Sequence, residues 1–186
     1  AQRWRWALLA FPAAGLGIGL ALWQFGGTQP FFDALAPGQN GYEQWMGRVE
    51  LWSRAIYAIQ DFPISGAGPG TYGHVTDVLY PLFLRGPHAG VPHAHNLLLQ
   101  VAFDLGLPGL VAFLALLGLC GWCAVDAARR YREAGEGGLA ALAWGCLAGL
   151  VAMGVHGMVD ATTWIVSRGA FVPWAGMGTI LGLHRQ

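Results

Sequence analysis

Charge is scarce in this sequence, and lysine is absent altogether. Charged residues make up 11% of the 186 residues, and all ten basic residues are arginine, whereas an ordinary soluble domain carries about 25% charged residues. Ten acidic residues bring the formal net charge to zero, which argues against nucleic-acid binding. Only three cysteines occur, all within apolar stretches, and this excludes a disulfide framework and a zinc-finger pattern.

Hydrophobic residues, by contrast, make up 55% of the chain, and the mean hydropathy is +0.45. This composition excludes a disordered chain and predicts a polytopic membrane protein. A span needs about 20 helical residues. Four stretches without a charged residue predict the spans: 6–32, with its apolar centre at 7–25, then 105–125, 137–159 and 169–183. The last stretch is short, and residues 161–167 can lengthen it.

The arginines predict the orientation of these spans. Six of the ten, at positions 3, 5, 129, 130, 132 and 185, fall on one side, which the positive-inside rule assigns to the cytoplasm. The predicted fold is all-α. It comprises a transmembrane helix at 1–27, an external loop at 28–96, an interfacial helix followed by a transmembrane helix at 97–127, a cytoplasmic loop at 128–137 and two transmembrane helices at 138–186. The first run has a basic start, but no A-x-A-type site follows it, so we expect a transmembrane helix there and not a cleaved signal peptide.

The external loop is too long for a simple connector, and its first half predicts an amphipathic helix over 42–60. Apolar residues recur there at helical spacing on one face, namely Trp45, Val49, Trp52, Ile56 and Ile59. Glu50 and Arg54 are spaced to form an i,i+4 ion pair. The segment from Pro63 to Gly70 then predicts tight turns. Its glycines do not satisfy G-x-G-x-x-G and follow a helix, which argues against a dinucleotide-binding fold and favours a structural turn.

The end of the loop contains the most informative residues, in the segment from Pro92 to Gly109. His95 or Asn96 can cap a helix that begins at Leu97, and Gly106 and Pro108 break that helix before the membrane span. We therefore expect His95 at the outer surface, at the positive end of a short interfacial helix. Backbone N–H groups at such a position favour an anion.

Two other interpretations of the histidines remain. His88, His93 and His95 could form the metal site of a membrane hydrolase, although no HExxH motif or paired cysteines accompany them. His156 and Asp160, four residues apart and so on one face of the predicted helix, could form the polar relay of a non-enzymatic transporter, because ionisable groups in a span are often functional.

Residues 47–109 resemble the O-antigen ligase / Wzy C-terminal domain superfamily of bacterial envelope glycosyltransferases. The family has an H-N-x9-G-x-x-G pattern at the end of its large periplasmic loop, and His95-Asn96 and Gly106-Leu-Pro-Gly109 reproduce it without a gap. The segment from Gly47 to Trp52 and the one from Asp61 to Tyr72 look like the family's loop helix and glycine turn. Family members are longer, so the resemblance implies that this chain corresponds to their C-terminal portion.

The resemblance implies an enzyme of the inner membrane with its active site facing the periplasm. It would transfer a glycan from undecaprenyl diphosphate to an acceptor hydroxyl, most simply on lipid A–core; a growing lipid-linked chain or a pilin are the alternatives. His95 would be the catalytic base and Arg48 would bind the diphosphate. Asn96, Arg85 and His93 are the expected substrate-binding residues. The resemblance also implies inversion at the anomeric carbon, no metal or other cofactor, and a further arginine from an N-terminal part that this sequence does not contain.

Overall fold

A computed structural model of the protein describes residues 24, 30, 41–84, 86, 90–164 and 170–185. The helices bounded within these ranges are α1 (Gly41–Asp61), α2 (Tyr72–Leu79), α3 (Leu97–Glu133), α4 (Gly137–His156) and α5 (Phe171–Arg185). No strand occurs among the described residues, which confirms the all-helical class for this part of the chain. The chain divides into two compact units, residues 1–49 and 50–186, with the boundary inside α1.

Helix α1 lies where the sequence predicts a helix, and small residues form much of its buried face. In the second unit, Leu51, Ala55 and Ala58 are almost completely buried, whereas Ile56 is 43% exposed. Ile56, which the apolar spacing groups on one face with Trp52 and Ile59, therefore lies outside the buried face. The two alanines have small side chains, which permit close packing in one cluster with Tyr72 of α2, and this close packing selects the face.

The predicted ion pair on α1 is confirmed, and it has a second role. Arg54 Nη2 lies 3.5 Å from Glu50 Oε1, and Arg54 Nε donates to the carbonyl of Pro81 at 3.0 Å. The Glu50 carboxylate also accepts hydrogen bonds from the backbone N–H groups of Phe83 (2.6 Å) and Leu84 (3.2 Å). The pair therefore fixes the segment that follows α2 against α1.

The core of the loop forms around Tyr72, which is fully buried. Its hydroxyl donates to the carbonyl of Leu51 at 2.8 Å, and its ring lies 5.0 Å from that of Phe103, between centroids. Val91 and Ala94 belong to the same cluster. The segment that precedes α3 is thus packed on a core shared by α1, α2 and the first turns of α3.

A kink divides α3, as the sequence predicts. Gly106 has φ 71° and ψ −178°, outside the helical region, and a residue without a Cβ adopts this conformation at little cost. Pro108 lacks an N–H group, so the carbonyl of Asp104 loses its usual partner four residues later. The kink therefore leaves carbonyl groups that need other donors.

The glycine turn at 63–70 supplies those donors. Three backbone hydrogen bonds join the turn to α3: from Ala67 to Phe103 (2.7 Å), from Gly68 to Asp104 (3.2 Å) and from Leu107 to Pro63 (2.8 Å). Gly66 has φ +66°, and a Cβ added to it would lie 2.5 Å from the backbone of Asp104. The glycines of this turn thus permit close approach to α3, and two of the turn's N–H groups are used within the protein.

Two of the helices are long and apolar enough to cross a membrane. They are α3, with 37 residues and a mean hydropathy of 2.1 in its most apolar window, and α4, with 20 residues and 1.9. Helix α5 has 15 residues, a length of about 22 Å at 1.5 Å per residue. The predicted span at 1–27 lies outside the described residues, except for Gln24. The arrangement of four spans and a periplasmic loop therefore stays a prediction.

Candidate active site

The segment 91–96, which leads into α3, carries the two histidines of the predicted site. His95 has φ +51°, and among the described residues it is the only non-glycine residue with a positive φ. This conformation is uncommon outside glycine and is found disproportionately at functional sites. The indole Nε1 of Trp52 donates to the carbonyl of His95 at 3.3 Å, so α1 helps to hold this backbone in place.

Asn96 caps α3 and connects it to the segment that follows α4. Its Oδ1 accepts the N–H of Leu99 at 3.0 Å, which confirms the predicted cap. Its Nδ2 donates to the carbonyl of Met158 at 3.0 Å, and the N–H of Leu97 donates to the carbonyl of Gly157 at 2.6 Å. The beginning of α3 and the end of α4 are thereby fixed to each other, and two of the first-turn N–H groups expected to favour an anion have protein acceptors.

Asp160 brings a carboxylate to the two histidines. Its Oδ1 lies 3.8 Å from His95 Nδ1 and 3.9 Å from His93 Nε2, which is ion-pair distance. The same oxygen accepts the N–H groups of Ala161 (2.6 Å) and Thr162 (3.2 Å). Those two bonds fix the carboxylate in one orientation. The three side chains form a partly buried cluster, with exposed fractions of 24% for His95 and Asp160 and 10% for His93.

The environment of His93 favours its neutral form. Burial lowers the pKa of His93 below its ordinary value, and the negative charge of Asp160 only partly opposes this. His93 Nδ1 accepts the backbone N–H of His95 at 3.2 Å, and an acceptor nitrogen cannot carry a proton. The hydrogen bond therefore assigns the proton of the neutral ring to Nε2, which faces Asp160. The rings of His93 and His95 lie 4.2 Å apart, between centroids.

The structure brings together some of the predicted site residues. His93, His95 and Asn96 lie at one place, as described above. Arg85 and His88 lie outside the described residues. Arg48 lies on α1 but belongs to the first compact unit, so its convergence with His95 stays a prediction.

Asp160 belongs to this cluster, although the sequence predicts that it pairs with His156. We expected it to share a helix face with His156, but α4 ends at His156, and Asp160 lies outside any helix. The pairing on one helix face is therefore wrong. Its backbone N–H donates to the carbonyl of His156 at 3.1 Å, while its side chain faces the two loop histidines. The sequence feature that could have indicated this role is a carboxylate placed soon after the end of an apolar helix.

The cluster also has the donor set of a metal site. The ligand atoms of His93, His95 and Asp160 all lie within 4.8 Å of one another, and two imidazoles with one carboxylate suit zinc and related ions. This set differs from the histidine trio considered from the sequence, because a carboxylate takes the third position. The expectation that no metal is used stays a prediction.

Comparison with known proteins gives a family match. The model of the O-antigen ligase domain matches residues 1–114, which is more than half of the chain. The matched region includes the loop, the His95-Asn96 pair and the kink of α3, and ends before Asp160. No curated protein matches. The family and the two apolar helices together indicate a membrane protein. The chain belongs to the O-antigen ligase family.

Proposed function

We propose that the protein transfers a glycan from undecaprenyl diphosphate to an acceptor hydroxyl at the periplasmic face of the bacterial inner membrane. The observation that carries this proposal is the contact of His95 with the Asp160 carboxylate, at 3.8 Å, inside a chain of the O-antigen ligase family. A histidine oriented by a carboxylate is a recurrent general base. Lipid A–core is the acceptor that we favour. A lipid-linked glycan or a protein hydroxyl would make the protein a polymerase or a protein glycosyltransferase.

The proposed reaction is a single displacement. The acceptor oxygen forms a bond to the anomeric carbon, and the bond from that carbon to the diphosphate oxygen breaks. The hydroxyl proton passes to His95, and since Nδ1 faces Asp160 we assign this transfer to Nε2. Attack from the face opposite the leaving group inverts the configuration, and the step uses no carboxylate nucleophile.

Two groups of charges support this step. The Asp160 carboxylate stabilises the imidazolium that forms when His95 takes the proton. The departing diphosphate gathers negative charge, which donors and cations aimed at it must neutralise. We assign this role to Arg48, because a guanidinium offers two parallel N–H groups to a phosphate. Arg85, His93 and Asn96 are the further residues that we propose for substrate binding.

The test uses the full-length protein in membranes, with lipid-linked donor and a hydroxyl acceptor. We expect His95→Ala and Arg48→Ala each to abolish transfer. His74→Ala and Arg132→Ala are the matched controls and should retain it, since both residues are exposed and lie outside the proposed site. If His95→Ala or Arg48→Ala transfers at the wild-type rate, the corresponding assignment is wrong.

A metal-dependent membrane hydrolase is the second candidate, favoured by the His93, His95 and Asp160 donor set. Metal chelation distinguishes the two functions. Transfer that persists in excess chelator supports the metal-independent mechanism. Activity that is lost in chelator and restored by zinc would support the hydrolase and contradict our mechanism.

A further inference from the structure

A buried chain of polar side chains runs along the first part of α3. Gln100 is fully buried and Asp104 is 2% exposed, although the helix around them is apolar. The backbone N–H of Ala94 donates to Gln100 Oε1 at 2.8 Å. Gln100 Nε2 donates to Asp104 Oδ1 at 2.8 Å, and the indole Nε1 of Trp164 donates to Asp104 Oδ2 at 2.8 Å. Buried polar groups left without such partners would destabilise the folded protein.

The donors at the two ends of this hydrogen-bond chain, Ala94 N–H and Trp164 Nε1–H, fix the direction of every hydrogen bond in it. A backbone N–H and an indole N–H can only donate. Because Ala94 donates to the oxygen of Gln100, the amide nitrogen of Gln100 must point to Asp104. Because Trp164 donates as well, Asp104 must accept at both carboxylate oxygens. A carboxylate meets this requirement, whereas an amide of the same size presents a donor on one side.

This chain of hydrogen bonds joins the two segments that carry His93, His95 and Asp160. Ala94 lies between His93 and His95 in the sequence, and Trp164 follows Asp160 by four residues. The ring of Trp164 also packs edge-on against Phe113 of α3, with centroids 5.3 Å apart. Gln100 thus fixes the first of these segments to α3, and Asp104 fixes the second.

We propose that Gln100 and Asp104 are positioning residues, which set the distance between His95 and Asp160 through this polarised hydrogen-bond chain. The proposal rests on the function proposed above. Neither residue is assigned a contact with substrate. Their effect passes through the backbone of Ala94 on one side and the indole of Trp164 on the other.

The direction of the hydrogen bonds allows a sharp test with isosteric variants. Asp104→Asn places an amide N–H₂ group against either Trp164 or Gln100, so two donors face each other. Gln100→Glu places two carboxylates side by side, where the wild type has a bond of 2.8 Å. The double variant Gln100→Glu with Asp104→Asn restores the pattern. The new glutamate accepts from Ala94 and from the new amide, whose oxygen accepts from Trp164, and the net charge equals that of the wild type.

We would measure kcat and KM for transfer by the full-length enzyme, together with its thermal stability in detergent. Each single variant is expected to lower kcat, by about 100-fold if the base moves by around 1 Å, with KM unchanged. The double variant should recover kcat. A wild-type kcat in Asp104→Asn, or a double variant no better than the single ones, would overturn the proposal. If the single variants do not fold, recovery of both fold and kcat in the double variant supports it, and a double variant that also fails contradicts it.

A second readout separates this proposal from the proposed function. Modification of His93 and His95 by diethyl pyrocarbonate, followed by mass spectrometry, reports their environment without any transfer reaction. We expect faster modification in each single variant and the wild-type rate in the double variant, even if His95→Ala were to transfer normally. A modification rate that is the same in all four proteins would overturn the positioning role. His74, which is exposed on α2, is the internal control and should react equally in every variant.

Discussion

The charge of Asp160 can be removed with little change of shape, and Asp160→Asn is therefore the most informative single substitution. The oxygen that faces both histidines also accepts the N–H groups of Ala161 and Thr162. The amide oxygen of an asparagine can accept the same two hydrogen bonds. The variant is expected to keep the local backbone and to lose only the negative charge at the site.

The distance in the structure gives the size of the expected effect. Opposite unit charges at the 3.8 Å that separates His95 Nδ1 from Asp160 Oδ1 attract by about 1 kcal/mol in water and about 4 kcal/mol at an effective dielectric of 20. In the proposed mechanism His95 becomes positive only in the transition state. We therefore expect Asp160→Asn to lower kcat by about 5- to 1,000-fold, with KM little changed.

The assay is steady-state glycan transfer by the full-length protein, with lipid-linked donor and acceptor varied in turn. Asp126→Asn is the matched control. Asp126 Oδ2 lies 3.2 Å from His184 Nδ1, so the control removes a similar contact near the C-terminal end of α3, and kcat should not change. A wild-type kcat in Asp160→Asn, or an equal decrease of kcat in the two variants, would contradict the proposed role of Asp160.

Two further predictions concern stability. Burial lowers the pKa of His93, so the unfolded chain binds more protons near pH 6.5, and the free energy of unfolding should decrease as the pH falls through that value. His93→Asn keeps an acceptor for the N–H of His95, and its free energy of unfolding should decrease less steeply as the pH falls. Unfolding measured at several pH values checks this. Equal slopes in the wild type and the variant would contradict the lowered pKa of His93. Gly66→Ala should lower the unfolding free energy by about 1–3 kcal/mol beyond the cost of its positive φ, because its Cβ would meet the backbone of Asp104. Gly70 has a similar positive φ, but a Cβ added there would meet nothing within 4 Å, so Gly70→Ala should lower the unfolding free energy less. Equal decreases of the two variants in denaturant unfolding would contradict the role of Gly66 in close packing against α3.

Local sequence patterns predicted the features of the fold that depend on neighbouring residues. The loop helix, the cap at Asn96 and the kink at Gly106 all follow from spacing, capping chemistry and backbone freedom over a few residues. Helix α2 was not predicted, because its eight residues contain too few turns to show a periodic pattern. The spacing of the large apolar residues did not identify the buried face of α1, which Leu51, Ala55 and Ala58 form. Which face is buried depends on what packs against it, and spacing alone does not contain that information.

The candidate site was predictable only in part for the same reason. His95 was found from its position before a helix, and its family motif supported the choice. Asp160 was not placed beside it, because 65 positions separate the two residues and the contact exists only after α3 and α4 pack. Gln100 and Asp104 did leave a signal. They are two polar residues, four positions apart, in an apolar helix, a spacing that puts both on one face.

In the proposed function, the diphosphate end of the donor binds at the cluster of His93, His95 and Asp160. The most direct test of this binding is photo-crosslinking of the full-length protein in membranes, with a lipid-linked donor whose first sugar carries a photoreactive group, followed by mass spectrometry of the adducts. We expect adducts at residues 91–96 and 157–162, and also at Arg48. Adducts concentrated near the opposite end of α3, around Asp126 to Arg132, would contradict it.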